Sequence, residues 1–329
     1  MVEVGSVQSM NSSWQSRLCE LPVESVRNCL LCDGVRGTTD FRWRKYLNLV
    51  PPFDVLRCPV CALRWLSPRP SAEGYALLYT DAMYFGGDGA SPADYASSVK
   101  ARVDYMRARI GRIQRIINKR GPLSILDYGA ATGDFVRAGL DQGHDCVGVE
   151  LSDDARAVAE QKNGVTLLSV DCVESMADLR FDAIHMNHVL EHMPDPLAHA
   201  RWCAGALKPE GILILEVPQQ FDNDLDRLRR GLRVGGRLQR FDAYSLHHTY
   251  FFTPPTFKTL LAKAGFNVLS LSTFNSDKTP LWPLSAKNYV LRALLGTADR
   301  LHAGGNIIEV FAQRPSASYH RAVDEFKAS

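Results

Sequence analysis

Four cysteines are paired at a spacing that suits a tetrahedral metal. Cys29-Leu-Leu-Cys32 and Cys58-Pro-Val-Cys61 are both C-x-x-C, with 25 residues between the pairs. The two-residue gap lets both thiolates of a knuckle turn toward one ion, and two knuckles supply the four sulfurs Zn²⁺ prefers. An ion with four protein ligands has no open position, so it holds structure and does not react. The competing readings are two disulfides or a redox C-x-x-C. A redox motif needs no duplicate, and a cytosolic setting disfavours disulfides. Cys19, Cys146, Cys172 and Cys203 are scattered.

A second group is acidic and glycine-rich. Asp127-Tyr-Gly129-Ala-Ala131-Thr-Gly133 leaves an apolar strand and opens a helix. Glycine allows close backbone approach and positive φ. Glu150 ends the next apolar run, 17 residues after Gly133, where a carboxylate can accept both hydroxyls of a ribose. Asp171 ends the third run. In open α/β sheets ligands bind beyond the carboxyl ends of the strands. A nicotinamide cofactor calls for G-x-G-x-x-G and a helix end receptive to pyrophosphate. Here the spacing is G-x-x-x-G, and an acid at the turn repels a diphosphate. The acids suit a cationic nucleoside, and S-adenosylmethionine (SAM) carries both an ammonium and a sulfonium.

These residues need a scaffold, and the chain supplies one. From Leu123 onward apolar strands alternate with helical segments: 123–127, 145–150, 164–171, 181–187 and 211–217, with later strands at 266–274 and 306–314. Such alternation predicts an α/β fold, a Rossmann-like seven-stranded, mostly parallel sheet with helices on both faces. Ahead of it, Ser91-Pro-Ala-Asp94 starts a long amphipathic helix whose apolar stripe is Val99, Val103, Met106, Ile110, Ile113 and Ile117. Its Lys100, Arg102, Arg109, Arg112 and Lys119 read as a solvated face. The expected organisation is a loose tail over 1–25, a zinc ribbon over 26–68, a helical linker or lid over 69–120, a catalytic domain over 121–315 and a tail over 316–329. Two insertions interrupt the catalytic domain, about 219–252 and 276–304.

The chain resembles the class I S-adenosylmethionine-dependent methyltransferases over about 123–314. The resemblance rests on the glycine turn, Glu150, Asp171-Cys172, Leu190-Glu-His-Met-Pro-Asp-Pro196, Leu207-Lys-Pro-Glu-Gly211 and Ala264-Gly-Phe266. It implies cofactor contacts from Asp127, Gly129, Ala131, Gly133, Glu150, Leu151, Asp171, Cys172 and Asn187, with Asp171-Cys172 beside the adenine. With the ribbon and Gly304-Gly-Asn-Ile307, the chain is most similar to the subgroup that includes sugar C-methyltransferases. A small-molecule or glycan acceptor follows, such as a sugar, nucleotide-sugar or natural-product intermediate.

A hydroxyl or carbon-acid acceptor needs a base, and histidine suits that role near neutral pH. Ser245-Leu-His247-His248-Thr-Tyr250 aligns with a Glu-His pair in the sugar C-methyltransferases. The second histidine is retained, so His248 ranks first, with His247 beside it. His188, after the fourth strand, is a further candidate, and Glu216-Val-Pro-Gln219 a third place. His188-Val-Leu-Glu191-His192 also spells H-x-x-E-H, a metalloprotease zinc motif. Its place behind a buried strand, and Pro194 just after, favour a hydrogen-bonded turn instead. Arg227, Arg229, Arg230, Arg233, Arg237 and Arg240 fit either a phosphorylated acceptor or an exposed helix face. Tyr79 and Tyr84 are equally open between lid and framework.

Composition narrows the partners. The chain has 38 basic and 36 acidic residues, a net charge of +2. That counts against the alternative of an RNA methyltransferase gripping RNA through its ribbon. The [ND]-P-P-[FY] motif of amino-group methylation is absent, the equivalent stretch reading Asn187-His188-Val189-Leu190. No apolar run reaches a membrane span and no signal peptide is visible, so a cytoplasmic location is expected.

Overall fold

The structure is a computed structural model describing residues 21–42, 53–78, 99–176, 178–223, 248–275 and 304–315. The N-terminal part is built of short strands: β1 (Val23–Glu24), β2 (Thr38–Arg42), β3 (Asp54–Arg57), β4 (Arg64–Ser67) and β5 (Arg69–Pro70). Val23 and Glu24, which the sequence placed in the tail, pair antiparallel with β5. Helix α1 (Ala72–Leu78) follows, with Ser71 Oγ accepting from the Gly74 N–H.

Helix α2 (Val99–Ile117) buries Val103, Ile110 and Ile113. Strand β6 (Ser124–Tyr128), helix α3 (Asp134–Asp141) and strand β7 (Asp145–Glu150) then lead through helix α4 (Asp153–Val158) to β8 (Leu168–Ser169). Strand β9 (Phe181–Asn187), helix α5 (Pro196–Ala206) and β10 (Leu207–Pro218) continue the alternation. The remainder comprises β11 (Tyr250–Phe251), helix α6 (Pro254–Lys263), β12 (Asn267–Phe274) and β13 (Ile307–Gln313).

Seven strands form one sheet in the order β12-β13-β10-β9-β6-β7-β8. The pairs β6–β7, β7–β8, β6–β9 and β9–β10 are parallel. Strand β13 runs antiparallel to both its neighbours. Strand β9 is buried along its length except at its end, because helices cover both faces. On one face Ile110, Ile113 and Phe135 pack against Ile125, Ala183, Ile212 and Ile214. On the other, Ala200, Cys203, Phe257 and Leu260 pack against Leu126, Ile184, Leu213 and Leu215. The third strand is shorter than the sequence reading: β8 has two residues, and Val170–Met176 turns into a 3-10 helix.

The ribbon is not closed by its own residues. Its sheet has four strands, β11-β4-β3-β2, and β11 comes from the catalytic part. Tyr250 pairs with Trp65 and Phe251 with Arg64. Trp65 is fully buried and donates its Nε1–H to Val26 O at 2.7 Å. Arg69 donates to Glu24 Oε1 at 2.7 Å and to Pro194 O at 2.6 Å. The ribbon thus clasps both the segment after residue 248 and the turn before α5.

Candidate active site

Strand order reverses between β6 and β9, and the carboxyl ends of those strands open a crevice. The glycine turn forms its rim. Gly129 and Gly133 have φ of 77° and 76°, and a Cβ on either would come within 2.4 Å of Val189 or Val165. Ala131 lies between them at φ 47°, left-handed though it carries a methyl group. Its N–H donates to Glu150 Oε2 at 2.8 Å, which fixes the turn. Glu150 Oε1 accepts from Ser152 N–H at 3.0 Å. Burial raises the Glu150 carboxyl above its ordinary value, and those N–H groups oppose the shift.

The other two acids each have a partner within the protein. Asp127 is buried, and its Oδ1 lies 2.7 Å from His185 Nδ1. The His185 ring stacks on Phe135 at 3.9 Å. Burial holds His185 below the ordinary histidine value although Asp127 pulls the other way, so His185 stays neutral and gives Asp127 its Nδ1–H. Asp127 therefore orders the sheet face beneath the turn. Asp171 is exposed and accepts from Ser169 Oγ at 2.9 Å. Leu151, just after β7, is exposed, and Cys172, in the 3-10 helix after β8, is half-buried. Asn187 ends β9, and its buried Oδ1 accepts no hydrogen bond.

His188 follows at φ 55°, its N–H donating to Glu216 O at 2.8 Å. Its side chain is 41% exposed. Nδ1 lies 3.4 Å from Glu191 Oε1, and Nε2 lies 3.7 Å from Glu216 Oε1. Glu191 is almost wholly buried. Burial alone would raise its carboxyl, but His188, His192 and His248 around it bring it to about 2. His248 is half-buried, its ring 4.7 Å from that of His192. Thr249 N–H donates to Glu191 O at 2.8 Å and Thr249 Oγ1 to His192 O at 3.3 Å. The turn is therefore pinned through its backbone carbonyls. Glu191 and His192 thus take part in a hydrogen-bonded turn, as their place in the sequence implied, through main-chain oxygens.

A correction concerns helix α2. Arg109, read as solvated, is buried. It donates to Glu216 and lies 3.6 Å from Glu309. Arg112 donates to both Glu309 oxygens at 2.9 and 3.1 Å. The helical pattern could not reveal this, because the acids lie more than a hundred residues away in sequence on β10 and β13.

The four ribbon cysteines converge, with their sulfurs within 4.8 Å of one another and Cys29 Sγ 3.6 Å from Cys61 Sγ. A tetrahedron of Zn–S bonds has edges of about 3.8 Å. The cysteines are not disulfide-bonded. Burial works against the Cys58 thiolate, yet the N–H groups of Cys61 and Val60 bring it to about 7. Such a set can hold a tetrahedral ion.

His247, Ser245, Tyr79, Tyr84, Cys19 and the six arginines from Arg227 to Arg240 lie outside the described residues, as do most of both insertions. Among the described residues, no helix is long and apolar enough to cross a membrane.

A family model described as a methyltransferase domain matches residues 100–271. The ubiquinone biosynthesis O-methyltransferase of Xanthomonas campestris pv. campestris (strain B100) is 34% identical over 121 residues, covering 35% of this chain and 47% of that protein. The enzyme of the same name from Idiomarina loihiensis is 31% identical over 110 residues, 31% of this chain and 45% of that protein. The chain spans about half the length of these curated relatives. Among solved structures, a SAM-dependent methyltransferase from Archaeoglobus fulgidus aligns with TM-score 0.44 and 19% identity, covering 64% of this chain and 94% of that one. A 1,6-didemethyltoxoflavin-N1-methyltransferase from Burkholderia thailandensis aligns with TM-score 0.46 and 19% identity, covering 80% and 96%.

Proposed function

The chain belongs to the class I SAM-dependent methyltransferases, and from that premise we propose that it methylates a hydroxyl of a small-molecule acceptor, with His188 as the base. The carrying observation is the placement of His188. It is the exposed imidazole at the end of a central strand, flanked by the Glu191 and Glu216 carboxylates. His248 is the less suitable base, because it packs edge-on against His192 beside buried Glu191.

The crevice fits the donor. Gly129 and Gly133 pack so closely on Val189 and Val165 that a Cβ on either would meet them, which holds the turn's backbone at the rim where the donor would lie. Asn187 Oδ1 is a buried acceptor awaiting a donor such as an ammonium. Glu150 would take the ribose hydroxyls, Ala131 and the glycines the methionyl part, and Leu151, Asp171 and Cys172 would border the adenine. Asp127 acts through His185 as a positioning residue. When bound, SAM supplies a methyl group made electrophilic by its sulfonium. His188 takes the acceptor proton as the acceptor oxygen attacks, and Glu216 steadies the imidazole that carries it. Helix α2, held by Arg109, shields the crevice from water on one side.

Cys29, Cys32, Cys58 and Cys61 hold structural Zn²⁺ in this reading. The ribbon then serves as a brace, since its β4 edge is occupied by β11. The O-methyltransferase relatives favour a hydroxyl as the accepting group, and the resemblance to ribbon-bearing sugar C-methyltransferases bears on a sugar as its carrier, with an aromatic alcohol as the other choice.

The test offers SAM labelled in its methyl group with pools of hydroxylated small molecules, and identifies the labelled product by mass spectrometry. His188→Ala should keep SAM affinity while turnover falls roughly 10²–10⁴-fold. Unchanged turnover in that variant sinks the base assignment.

A further inference from the structure

Glu191 presents an unusual situation for a buried carboxylate. It is 1% exposed, it sits beneath the turn after β9, and neither oxygen has a hydrogen-bond donor in bonding geometry. An ionised carboxylate in that state is costly unless something positive engages it. Three imidazoles flank it, His188 Nδ1 lying 3.4 Å from Oε1, and two of the three are placed to share an ion with it. His192 Nε2 is 3.7 Å from Oε1, and His248 comes from a segment more than fifty residues further along the chain. One carboxylate oxygen and one nitrogen from each histidine lie within 4.8 Å of one another.

We propose that Glu191, His192 and His248 form a second metal site, distinct from the four cysteines, for a divalent cation of the zinc class. The donor set selects the ion. Two imidazoles and one carboxylate suit Zn²⁺, Co²⁺, Fe²⁺ or Mn²⁺, whereas Mg²⁺ and Ca²⁺ favour all-oxygen shells. The spacing fits as well: bonds of about 2.0–2.2 Å place tetrahedral ligands about 3.4 Å apart. The 3.7 Å gap between Glu191 and His192 needs only a small adjustment.

The fold, not chance, brings the three together. Thr249 N–H bonds to Glu191 O, and Thr249 Oγ1 to His192 O, which locks the residue next to His248 onto the turn. Thr249 O in turn accepts from Leu66 N–H at 2.9 Å, so the ribbon backs the segment from the other side. A preorganised site of this kind loses little entropy on taking an ion. Three protein donors leave a fourth position for water or another ligand, unlike the closed cysteine site. The proposal goes beyond the methyl-transfer reading and does not depend on it.

Cobalt titration of the full chain tests it. Thiolate-bound Co²⁺ shows intense charge-transfer absorption in the near ultraviolet, which a nitrogen–oxygen site lacks. The expected result is two equivalents bound by the natural protein, only one giving the thiolate band. Glu191→Gln and His248→Ala should each bind one equivalent and keep that band, which also reports an intact ribbon. A single equivalent in the natural protein, or a second that persists in either variant, overturns the proposal. Should a variant lose the thiolate band, zinc-edge X-ray absorption of the natural protein decides. A mixed sulfur and nitrogen–oxygen shell upholds the site, and an all-sulfur shell ends it.

Discussion

Arg109, in the middle of helix α2, donates to Glu216 at the end of β10, with both side chains buried. Glu309 on β13 lies 3.6 Å from the same guanidinium. A helix outside the glycine-turn motif is thereby fixed to the carboxyl-end part of β10 and its neighbour β13.

Removing one partner of such a pair strands the other charge. Arg109→Met should lower unfolding free energy by about 3–5 kcal/mol, measured in urea. The double variant Arg109→Met/Glu216→Leu should recover part of that loss. A single-variant loss under about 1 kcal/mol would mean that water reaches the pair and screens it.

Glu150 ties the glycine turn to the segment after β7. Its two oxygens hold the N–H groups of Ala131 and Ser152. Glu150→Ala should weaken SAM binding at least about 10-fold in calorimetry, given about 1.5–3 kcal/mol per bond to a charged group. Affinity equal to the natural protein would remove Glu150 from the donor site.

The ribbon should matter for turnover more than for donor binding. The residues proposed for the donor lie at or after the ends of β6, β7, β8 and β9, whereas β11 hangs on β4. Cys58→Ser/Cys61→Ser should abolish zinc retention at the ribbon, reduce the near-ultraviolet circular dichroism of Trp65 and depress methyl transfer, while SAM still binds. Full turnover without ribbon zinc would refute the bracing role.

Acid should unfold the protein earlier than its carboxylates alone would. Burial lowers His144 and His185, and brings His199 to about 4. These histidines are neutral in the folded state, while in the unfolded chain they take a proton near the ordinary value of about 6.5. The unfolded state therefore binds more protons, and stability falls as pH drops below about 6.5. For His199 the decline continues to about pH 4. His199 packs 4.5 Å from Tyr128 and 5.4 Å from Trp202, so a phenyl ring suits its place. His199→Phe should flatten the decline, measured as melting temperature against pH. An unchanged slope would show that His199 titrates normally.

Much of the scaffold was legible because it depends on local pattern. The paired cysteines, the glycine turn, the acid ending β7 and the apolar strands all announce themselves within a few residues. What escaped depends on distant partners. Arg109 lies in a charged row on its helix, and only Glu216 and Glu309 reveal that it is buried. The partner of Asp127, His185, comes from β9 and has no signal near Asp127 in the sequence. β11 is two residues long and has no pattern of its own, so its union with the ribbon was invisible. The H-x-x-E-H stretch was correctly set apart from a metalloprotease helix, yet its partner His248 could be found only in three dimensions.

The borrowed strand also bears on how this molecule can be divided. Because Tyr250 and Phe251 complete the N-terminal sheet, that module cannot finish forming until most of the polypeptide has been synthesised. Exchanging it with an equivalent module would require both edges of the seam to be transplanted together.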